Sequence, residues 1–353
     1  MMSKIPKLFF ISVCVLPLAG CTDFFAVSGA NAPAGGVYKL QAGGTFQCAK
    51  SSKLNCLVRG GDRRLYGTTG RNGGGVVVLG PIPFVDGFEE KKSVAVGGKT
   101  PCHLTLSPDG RHLYTANYSS GSISEFHLKE GLPAGRPRII RHTGSGIKPR
   151  QKSPHPHFVG FDPAGKQLYV CDLGCDRISI YDWTPETGLK TPAAAELALP
   201  PGSGPRHLVF SPDGNTLYVA DELDSTVASF VREGSDKAWR LGKIRSTLPD
   251  WSDKMDNYPG AIKITGDGKY LFVANRGDNS VAVFSTLSGG DFRLVRTVPS
   301  GGDFPSDLLL LNGDRLLVVG HLRSGGITSF KLENGVLTPS VRYSVPKCTA
   351  LCE

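Results

Sequence analysis

A unit of about 50 residues recurs along this chain, and no other feature constrains the fold as strongly. Each copy reads as an apolar strand, a polar turn, a strand ending in Asn or Asp, a second turn and a strand ending in an aromatic residue. The copies run from Cys56 to Leu79, Cys102 to Phe126, His157 to Trp183, Arg206 to Phe230, Gly260 to Phe284 and Ser306 to Phe330. A period of this length, with four strands per unit, is typical of β-propeller blades.

The turns explain why each unit pairs its strands. Pro108-Asp109-Gly110 and Pro212-Asp213-Gly214 stand between two short apolar runs, and such triplets preset φ and tolerate a left-handed residue, so the flanking strands pair as a hairpin. The flanking runs are rich in β-branched and aromatic residues and are too short for helices. The high content of glycine (45) and proline (25) in 353 residues fits many short strands joined by turns.

The two ends of the chain supply a seventh unit. The stretch from Phe24 to Leu40 resembles the second and third strands of a blade, and the stretch from Pro346 to Glu353 resembles a first strand. Joining them closes the ring and removes its exposed edges. We therefore predict one all-β domain over residues 22–353, a seven-bladed β-propeller whose N- and C-terminal strands share one blade.

Residues 1–21 read as an export signal. Lys4 and Lys7 form a basic start, and the apolar run from Leu8 to Leu18 is too short to span a bilayer as a helix. Small residues directly before Cys21 look like the lipobox of bacterial lipoproteins, in which the cysteine is acylated. We expect a lipid anchor at Cys21 and a location in the cell envelope, on the periplasmic side or at the outer membrane; the alternative is an ordinary signal peptide with a chance cysteine.

Composition and charge limit the classes of molecule that this protein is expected to bind. The formal net charge is +9 at pH 7, which favours anionic small molecules, and no basic helix or aromatic-basic interleaving indicates nucleic acid. Membrane contact is expected through the N-terminal anchor only. The seven cysteines after Cys21 are an odd number, so at least one is unpaired, and no spacing resembles a zinc site. We expect neither a metal nor a cofactor.

Propeller geometry brings two sets of residues to one mouth of the central channel. The first strand of a blade lies innermost and the second runs antiparallel to it, so the start of one and the end of the other share a face. The strand-one ring is expected to hold Cys56, His103, His157, His207, Ala261 and Asp307. The strand-two ring is expected to hold Thr68–Thr69, Asn117–Tyr118, Asp172–Leu173, Asp221–Glu222, Asn275–Arg276 and Gly320–His321.

Residues that break the repeat are the stronger candidates for chemistry. Asn or Asp ends the second strand in four copies, so Asp172 and Asp221 are expected to tie the following turn. Arg206, Glu222, Arg276 and His321 each occur once at their positions. Attack of water on a carbonyl group needs a base for the water and a cation for the developing oxyanion. Histidine and paired arginines supply these groups, whereas no Gly-Xaa-Ser-Xaa-Gly elbow marks a covalent nucleophile.

At His155-Pro156-His157, Gly204-Pro205-Arg206-His207, Glu222-Leu223 and Asn275-Arg276-Gly277 the chain resembles the bacterial β-propeller lactonases related to 6-phosphogluconolactonase. These are in turn similar to carboxymuconate-cyclising propellers, where a histidine, two arginines and a glutamate are proposed to act. The resemblance implies a lactone hydrolase with His157 as base, Arg206 and Arg276 as anion and oxyanion binders, and Glu222 as the orienting carboxylate. Expected substrate-binding residues are His103, Asn117, Arg150, His155, His207 and His321.

Three departures from the family pattern put the substrate in question. Ala261 stands where the family often has a glutamate, Pro305-Ser306-Asp307 replaces Pro-Arg-Gly, and Thr68–Thr69 replaces Asn-Glu. Two alternatives therefore accompany the lactonase hypothesis: a non-catalytic envelope propeller that binds a ligand or protein partner, and a carboxymuconate-type enzyme that closes the lactone. The expected substrate is a small lactone, acidic or derived from a sugar.

Overall fold

Seven antiparallel sheets make up the described part of the protein. The computed structural model describes residues 24–28, 35–41, 44–49, 54–70, 73–232, 238–250 and 256–353. Each sheet has four strands, except one that carries a fifth short strand. The predicted seven-bladed, all-β architecture is confirmed.

The blades are numbered 1 to 7 along the chain, beginning with the first complete sheet. Blade 1 contains β4 (Leu54–Arg59), β5 (Leu65–Thr69), β6 (Gly75–Pro81) and β7 (Phe88–Ala95). Blade 2 contains β8 (Pro101–Leu106), β9 (His112–Asn117), β10 (Ser122–Lys129) and β11 (Leu132–Arg141). Blade 3 contains β12 (Pro156–Phe161), β13 (Gln167–Asp172), β14 (Arg177–Thr184), β15 (Gly188–Leu189) and β16 (Ala195–Ala198).

The remaining blades follow the same order. Blade 4 contains β17 (Pro205–Phe210), β18 (Thr216–Asp221), β19 (Thr226–Arg232) and β20 (Trp239–Ser246). Blade 5 contains β21 (Tyr258–Ile264), β22 (Tyr270–Arg276), β23 (Ser280–Thr286) and β24 (Phe292–Pro299). Blade 6 contains β25 (Pro305–Leu311), β26 (Leu316–His321), β27 (Ile327–Glu333) and β28 (Val336–Tyr343). Blade 7 contains β29 (Cys348–Cys352), β1 (Phe24–Ser28), β2 (Gly36–Gln41) and β3 (Gly44–Ala49).

The same hydrogen bonds close the turn between the first and second strands in successive blades. In blade 2, Ser107 Oγ donates to Asp109 Oδ1 at 2.6 Å and accepts from the backbone N–H of His112 at 2.8 Å. Ser211 with Asp213, and Thr265 with Asp267, repeat the arrangement in blades 4 and 5. The recurring turn sequence therefore specifies the hairpin through side chains as well as through backbone preference.

Blade 7 closes the ring as predicted. β29 pairs antiparallel with β1, with Phe25 opposite Cys352 and Val27 opposite Ala350. Thr349 Oγ1 lies 3.3 Å from the carbonyl oxygens of both Val27 and Leu54, within donating distance of either, and so links this blade to blade 1. The pairing leaves neither strand with an open edge at the seam.

The hydrophobic core is divided among the seven contacts between neighbouring blades. Seven clusters of buried residues are found, and each combines side chains from two adjacent blades. Two of them hold blade 7 against its neighbours: Phe24 and Tyr38 pack with blade 6, and Phe25 and Val37 pack with blade 1. Every blade therefore needs both neighbours to bury its two faces.

The disc has two distinct faces. The first strands begin, and the second strands end, on the face we call the site face; the turns between third and fourth strands lie on the opposite face. β1 begins at Phe24 on the opposite face. The predicted lipobox at Cys21 lies outside the described residues. Within the described ranges no helix has the length and apolar character to cross a membrane, and all seven cysteines there are free thiols.

Candidate active site

A β-bulge interrupts the innermost strand near the site face in blade after blade. The register shifts between Leu54 and Cys56, between Pro101 and His103, between Pro156 and Phe158, between Pro205 and His207 and between Pro305 and Asp307. A β-bulge changes the direction in which side chains point, and such bulges are common beside active sites. The extra residues are Asn55, Cys102, His157, Arg206 and Ser306, and all of them line the channel.

The bulge corrects the predicted strand-one ring. His157 was placed level with His103 and His207, but the residue of blade 3 at their level is Phe158. His157 instead shares its register position with Arg206 in the next blade. The two residues expected to act as base and oxyanion binder therefore belong to one layer of the channel.

A cavity of about 650 Å³ runs through the centre of the disc. His103, His157, Arg206, His207 and Arg276 line it, as expected from the sequence. Lys263 and Asp307 also line it, and the structure gives neither of them an ion pair in the described part of the chain. The volume suits a small molecule.

Three guanidinium groups surround one carboxylate at the rim of this cavity. Arg150 Nη1 donates to Glu222 Oε1 at 2.7 Å, and Arg276 Nη2 donates to Oε2 at 2.5 Å. Arg206 Nε lies 3.0 Å from the same Oε2. The side chain of Glu222 is only 5% exposed, and burial alone would raise its pKa. The arginines outweigh burial and hold the pKa of Glu222 well below its usual range.

Neighbouring residues fix the positions of two of these arginines, Arg150 and Arg276. The loop that carries Arg150 is anchored by the fully buried Gln151, whose Nε2 donates to Leu173 O at 2.8 Å and to Asp176 Oδ1 at 2.6 Å. Arg276 ends β22, and its Nε donates to the carbonyl of Tyr258 at 2.9 Å. The next residue, Gly277, has φ 121°. A Cβ there would lie 1.9 Å from the carbonyl oxygen of Asp256, so glycine is required.

Arg206 is held near Glu222 yet keeps donors unused. Its Nε is not aligned for a hydrogen bond with Glu222, and both Nε and Nη1 are buried without a hydrogen-bond partner. Burial and the neighbouring charge of Arg276 lower the pKa of Arg206 to about 10, so the group is still a cation at neutral pH. Buried donors without partners are costly, and here they belong to a side chain that lines the cavity.

Three imidazoles form the wall beside Arg206. The ring of His207 lies 5.1 Å from that of His103 and 5.5 Å from that of His157, and Phe158 packs against both His103 and His207. Burial and the charge of Arg206 hold the pKa values of His157 and His207 well below their usual range; burial, with Lys263 and Arg206, lowers that of His103 to about 3. The imidazoles are therefore neutral at physiological pH, and Nδ1 of His157 is buried without a partner.

The outer rim contains two further predicted residues. His155 stacks on the ring of Tyr118 at 4.4 Å between centroids, and its Nδ1 lies 2.9 Å from the carbonyl oxygen of Tyr118. Arg150 Nη2 donates to the hydroxyl of Tyr118 at 3.1 Å. Tyr118 thereby connects His155 to the arginine cluster. In the sequence, Tyr118 stands out only as the residue that follows Asn117 in the strand-two ring.

Two predicted binding residues are not brought to the cavity. Asn117 is fully buried, and its Nδ2 donates to Ser124 Oγ at 2.7 Å within its own blade. His321 is also fully buried, with Nε2 3.1 Å from Thr328 Oγ1. Asp172 ties its turn as expected, because its Oδ1 accepts the backbone N–H groups of Gly174 and His155. Asparagine, aspartate and histidine at the end of a second strand serve the scaffold here.

The family departures lie in different environments. Ser306 lines the channel, but its hydroxyl donates to the carbonyl of Cys348 at 2.7 Å and lies 3.1 Å from that of Gly320, so it belongs to the scaffold. Ala261 is buried in the core between blades 5 and 6, and Thr68 is fully buried. Lys263 and Arg59 are channel-lining cations that the sequence did not single out. No group of three or more His, Cys, Asp or Glu side chains in the described ranges is arranged to hold a metal ion.

Comparison with known proteins gives consistent matches over most of the chain. The family model described as a lactonase with a seven-bladed β-propeller matches residues 39–352. The 6-phosphogluconolactonase of Bacillus subtilis is 33% identical over 258 residues, which cover 71% of this chain and 72% of that protein.

Solved structures agree with the sequence matches. The periplasmic gluconolactonase of Pseudomonas aeruginosa has 26% identity and a TM-score of 0.83, over 93% of this chain and 98% of that one. A protein of Lactobacillus plantarum, at 25% identity, gives a TM-score of 0.85 over 94% and 98% of the two chains. A putative 6-phosphogluconolactonase from Bacteroides fragilis has 25% identity to this chain and gives a TM-score of 0.83.

Proposed function

Because this chain belongs to the seven-bladed β-propeller lactonase family, we propose that it hydrolyses a small lactone at the site-face mouth of its channel. One observation carries the proposal: Arg206 offers two buried donors without partners, in the same channel layer as His157, whose Nδ1 also has no partner. A donor pair for an oxyanion beside a neutral imidazole is what the attack of water on a lactone requires.

The proposed chemistry uses these groups in turn. Neutral His157 accepts a proton from water as the water oxygen bonds to the lactone carbonyl carbon. The carbonyl oxygen becomes an oxyanion, which Arg206 stabilises through its free donors. The intermediate then collapses and breaks the ring C–O bond, and the proton on His157 passes to the leaving alkoxide. The product is an open hydroxy acid.

Glu222 acts in this proposal through the arginines. It forms hydrogen bonds with Arg150 and Arg276 and none with His157, so it sets the positions of the guanidiniums. The three arginines and one carboxylate leave an excess of two positive charges at the mouth. That excess supports a substrate carrying a carboxylate or phosphate group. Further along the channel wall, Lys263 and Arg59 add two more cations, and Asp307 adds one carboxyl group.

The proposed compartment is the cell envelope, with Cys21 as the lipid attachment point. The signal-like residues 1–21 support export. The periplasmic gluconolactonase of Pseudomonas aeruginosa has a similar architecture, which is consistent with this location. A periplasmic location would give this enzyme substrates other than the phosphorylated lactones of the cytoplasm.

The first test is pH-stat hydrolysis of gluconolactone, its 6-phosphate and muconolactones by the protein starting after Cys21. We expect turnover above background with at least one lactone, and a loss of about 10²–10³-fold in kcat for Arg206→Ala. Arg296→Ala is the matched control, because Arg296 is exposed on the outermost strand of blade 5.

The possible outcomes separate the hypotheses. Turnover that Arg206→Ala abolishes and Arg296→Ala retains supports the lactonase. Formation of a lactone from an added muconate would support the cyclase instead. Folded protein that binds a lactone without turning it over would identify a binding propeller.

A further inference from the structure

Large apolar side chains are exposed mainly on the face away from the proposed active site. In the described ranges the exposed large apolar residues are Phe84, Val85, Ile147, Leu241, Leu287, Val295 and Val336. Only Ile147 lies on the site face. Leu241 and Val295 lie on the outermost strands, whereas Phe84, Val85, Leu287 and Val336 lie at turns between third and fourth strands on the opposite face.

The most prominent of these turns joins β6 to β7. Phe84 is as exposed as in an extended chain, and Val85 is 63% exposed. The turn is nevertheless ordered, because Ile82 N–H donates to Gly87 O at 3.0 Å and Gly87 N–H donates to Val85 O at 2.9 Å. Phe84 adopts φ 62°, an unfavourable conformation for a bulky residue. The backbone thus holds an aromatic side chain outward at a cost in stability, and none of the described residues covers it.

The exposed turns flank blade 7, which contains β1, the first described strand. Phe84 belongs to blade 1 and Val336 to blade 6, the two neighbours of blade 7. Lys39 of β2 forms an ion pair with Asp86 at 2.8 Å, so the Phe84 turn lies against blade 7 directly. β1 begins at Phe24 on this same face.

The short distance in sequence between Cys21 and Phe24 limits where an anchor can be. Three residues span at most about 10 Å even when fully extended. An acyl chain attached to Cys21 must therefore start close to the opposite face of blade 7, whatever conformation those residues adopt. The site face cannot be reached by so short a tether, because each strand of six residues is about 20 Å long.

We propose that the opposite face of the disc rests on a lipid bilayer, with Phe84 and Val85 entering the headgroup region beside the acylated Cys21. The proposal rests on the anchor at Cys21 and is independent of the lactonase activity. Aromatic and aliphatic side chains at this depth bind lipid, and cations bind anionic headgroups. Arg63 is exposed in the turn between β4 and β5 of the same blade, on the same face.

This orientation determines how substrate reaches the channel. The site-face mouth points away from the membrane into the aqueous compartment, and the cationic rim of Arg150, Arg206 and Arg276 is turned toward water. A water-soluble anion can reach it without crossing the headgroup layer. Membrane-embedded lactones are poor substrates in this arrangement.

The test uses the full chain, exported and acylated, in vesicles of phosphatidylethanolamine and phosphatidylglycerol. Phe84→Trp and Ile147→Trp place a reporter on the opposite face and on the site face; both positions are exposed, so neither change disturbs packing. With lipids brominated along their acyl chains, we expect the added emission of Phe84→Trp to shift to shorter wavelength and to be quenched, most strongly by bromines about 5–10 Å below the headgroups. The emission of Ile147→Trp should not change.

Several outcomes would overturn the proposal. Equal quenching at both positions, or stronger quenching at Ile147→Trp, would place another face on the membrane. Mature protein recovered without an acyl group on Cys21 would remove its premise. Phe84→Trp emission that shifts with protein concentration but not with lipid would assign the turn to contacts between copies of the chain. Hydrolysis measured on the same samples reports separately on the lactonase.

Discussion

Glu222 shows how one carboxylate can hold several guanidinium groups together. Its two oxygens contact three guanidinium groups that come from three different parts of the chain. Both Arg206 and Arg276 are almost fully buried, and burying like charges together is unfavourable unless a counter-charge is present. The carboxylate makes the cluster possible and leaves part of Arg206 free to bind something else.

The low pKa of His157 leads to a prediction about pH dependence. Burial and Arg206 keep this imidazole neutral well below pH 6.5, so kcat/KM should stay level as the pH falls from 8 through 6.5. It should decrease only at lower pH, where His157 takes up a proton. A bound anionic substrate offsets the charge of Arg206, so the acidic limb of kcat should lie at higher pH than that of kcat/KM.

NMR titration of the His157 ring tests the cause of its low pKa without measuring turnover. Replacing Arg206 by methionine removes a positive charge and should raise the pKa of His157, whereas Arg296→Met should leave it where it was. A His157 signal that titrates near pH 6.5 in the unaltered protein would contradict the electrostatic argument.

Blade geometry, breaks in the repeat and the family resemblance together identified many of the side chains that gather at the mouth. His157, Arg206, Glu222 and Arg276 were chosen from the sequence and come together in space; their chemical roles stay predictions. Asn117 and His321 carry equally suitable groups but are buried in scaffold hydrogen bonds. Sequence does not distinguish the two cases, because burial at the end of a strand depends on what the adjacent blade places there.

At the level of the element, the bulge in the innermost strand decides which residues meet. It moves His157 level with Arg206 and puts Phe158 between His103 and His207. The strand itself was predictable from its apolar pattern and the turn that follows. The bulge was not, because it depends on backbone pairing that spacing in the sequence does not reveal.

The turn after β22 is the element that fixes Arg276, and it supports a test. Gly277→Ala would bring Cβ against Asp256 O at 1.9 Å, so the backbone must move and take Arg276 with it. We expect kcat/KM to fall by about 10²-fold, since a displacement of about 1 Å has that effect in well-positioned sites.

Gly110→Ala provides the matched control for that turn. Gly110 also has positive φ, at 68°, but a Cβ there would meet nothing within 4 Å. This change should lower the free energy of unfolding by about 1–2 kcal/mol and leave kcat/KM unaltered. Equal kinetics in the two variants would show that the turn does not position Arg276.

On the scale of the whole molecule, the ring is a set of equivalent blades with a single break. In blades 1 to 6 a turn joins the first strand to the second, whereas in blade 7 the end of β29 and the start of β1 lie side by side unjoined. The repeat in the sequence predicted this closure, because neither end of the chain forms a complete unit and the two ends together supply one.

A circular permutant tests whether the break can be moved. Glu353 would be joined to Phe24 by a short glycine-containing turn, and the chain would be opened between Asp109 and Gly110, in an exposed turn. We expect this protein to fold with the circular dichroism and cooperative unfolding of the parent. A chain ending at Lys347, which lacks β29, should aggregate because β1 is left with an open edge. Failure of the permutant with success of the truncated chain would contradict the closure argument.

The position of β29 also affects how the protein is made. Of the described strands, β29 comes last in the chain, so the ring stays open until this strand has left the ribosome. A product that stops before β29 leaves β1 with an unpaired edge and cannot close the ring. Closure of the disc is therefore delayed until the last strand of the ring has been made.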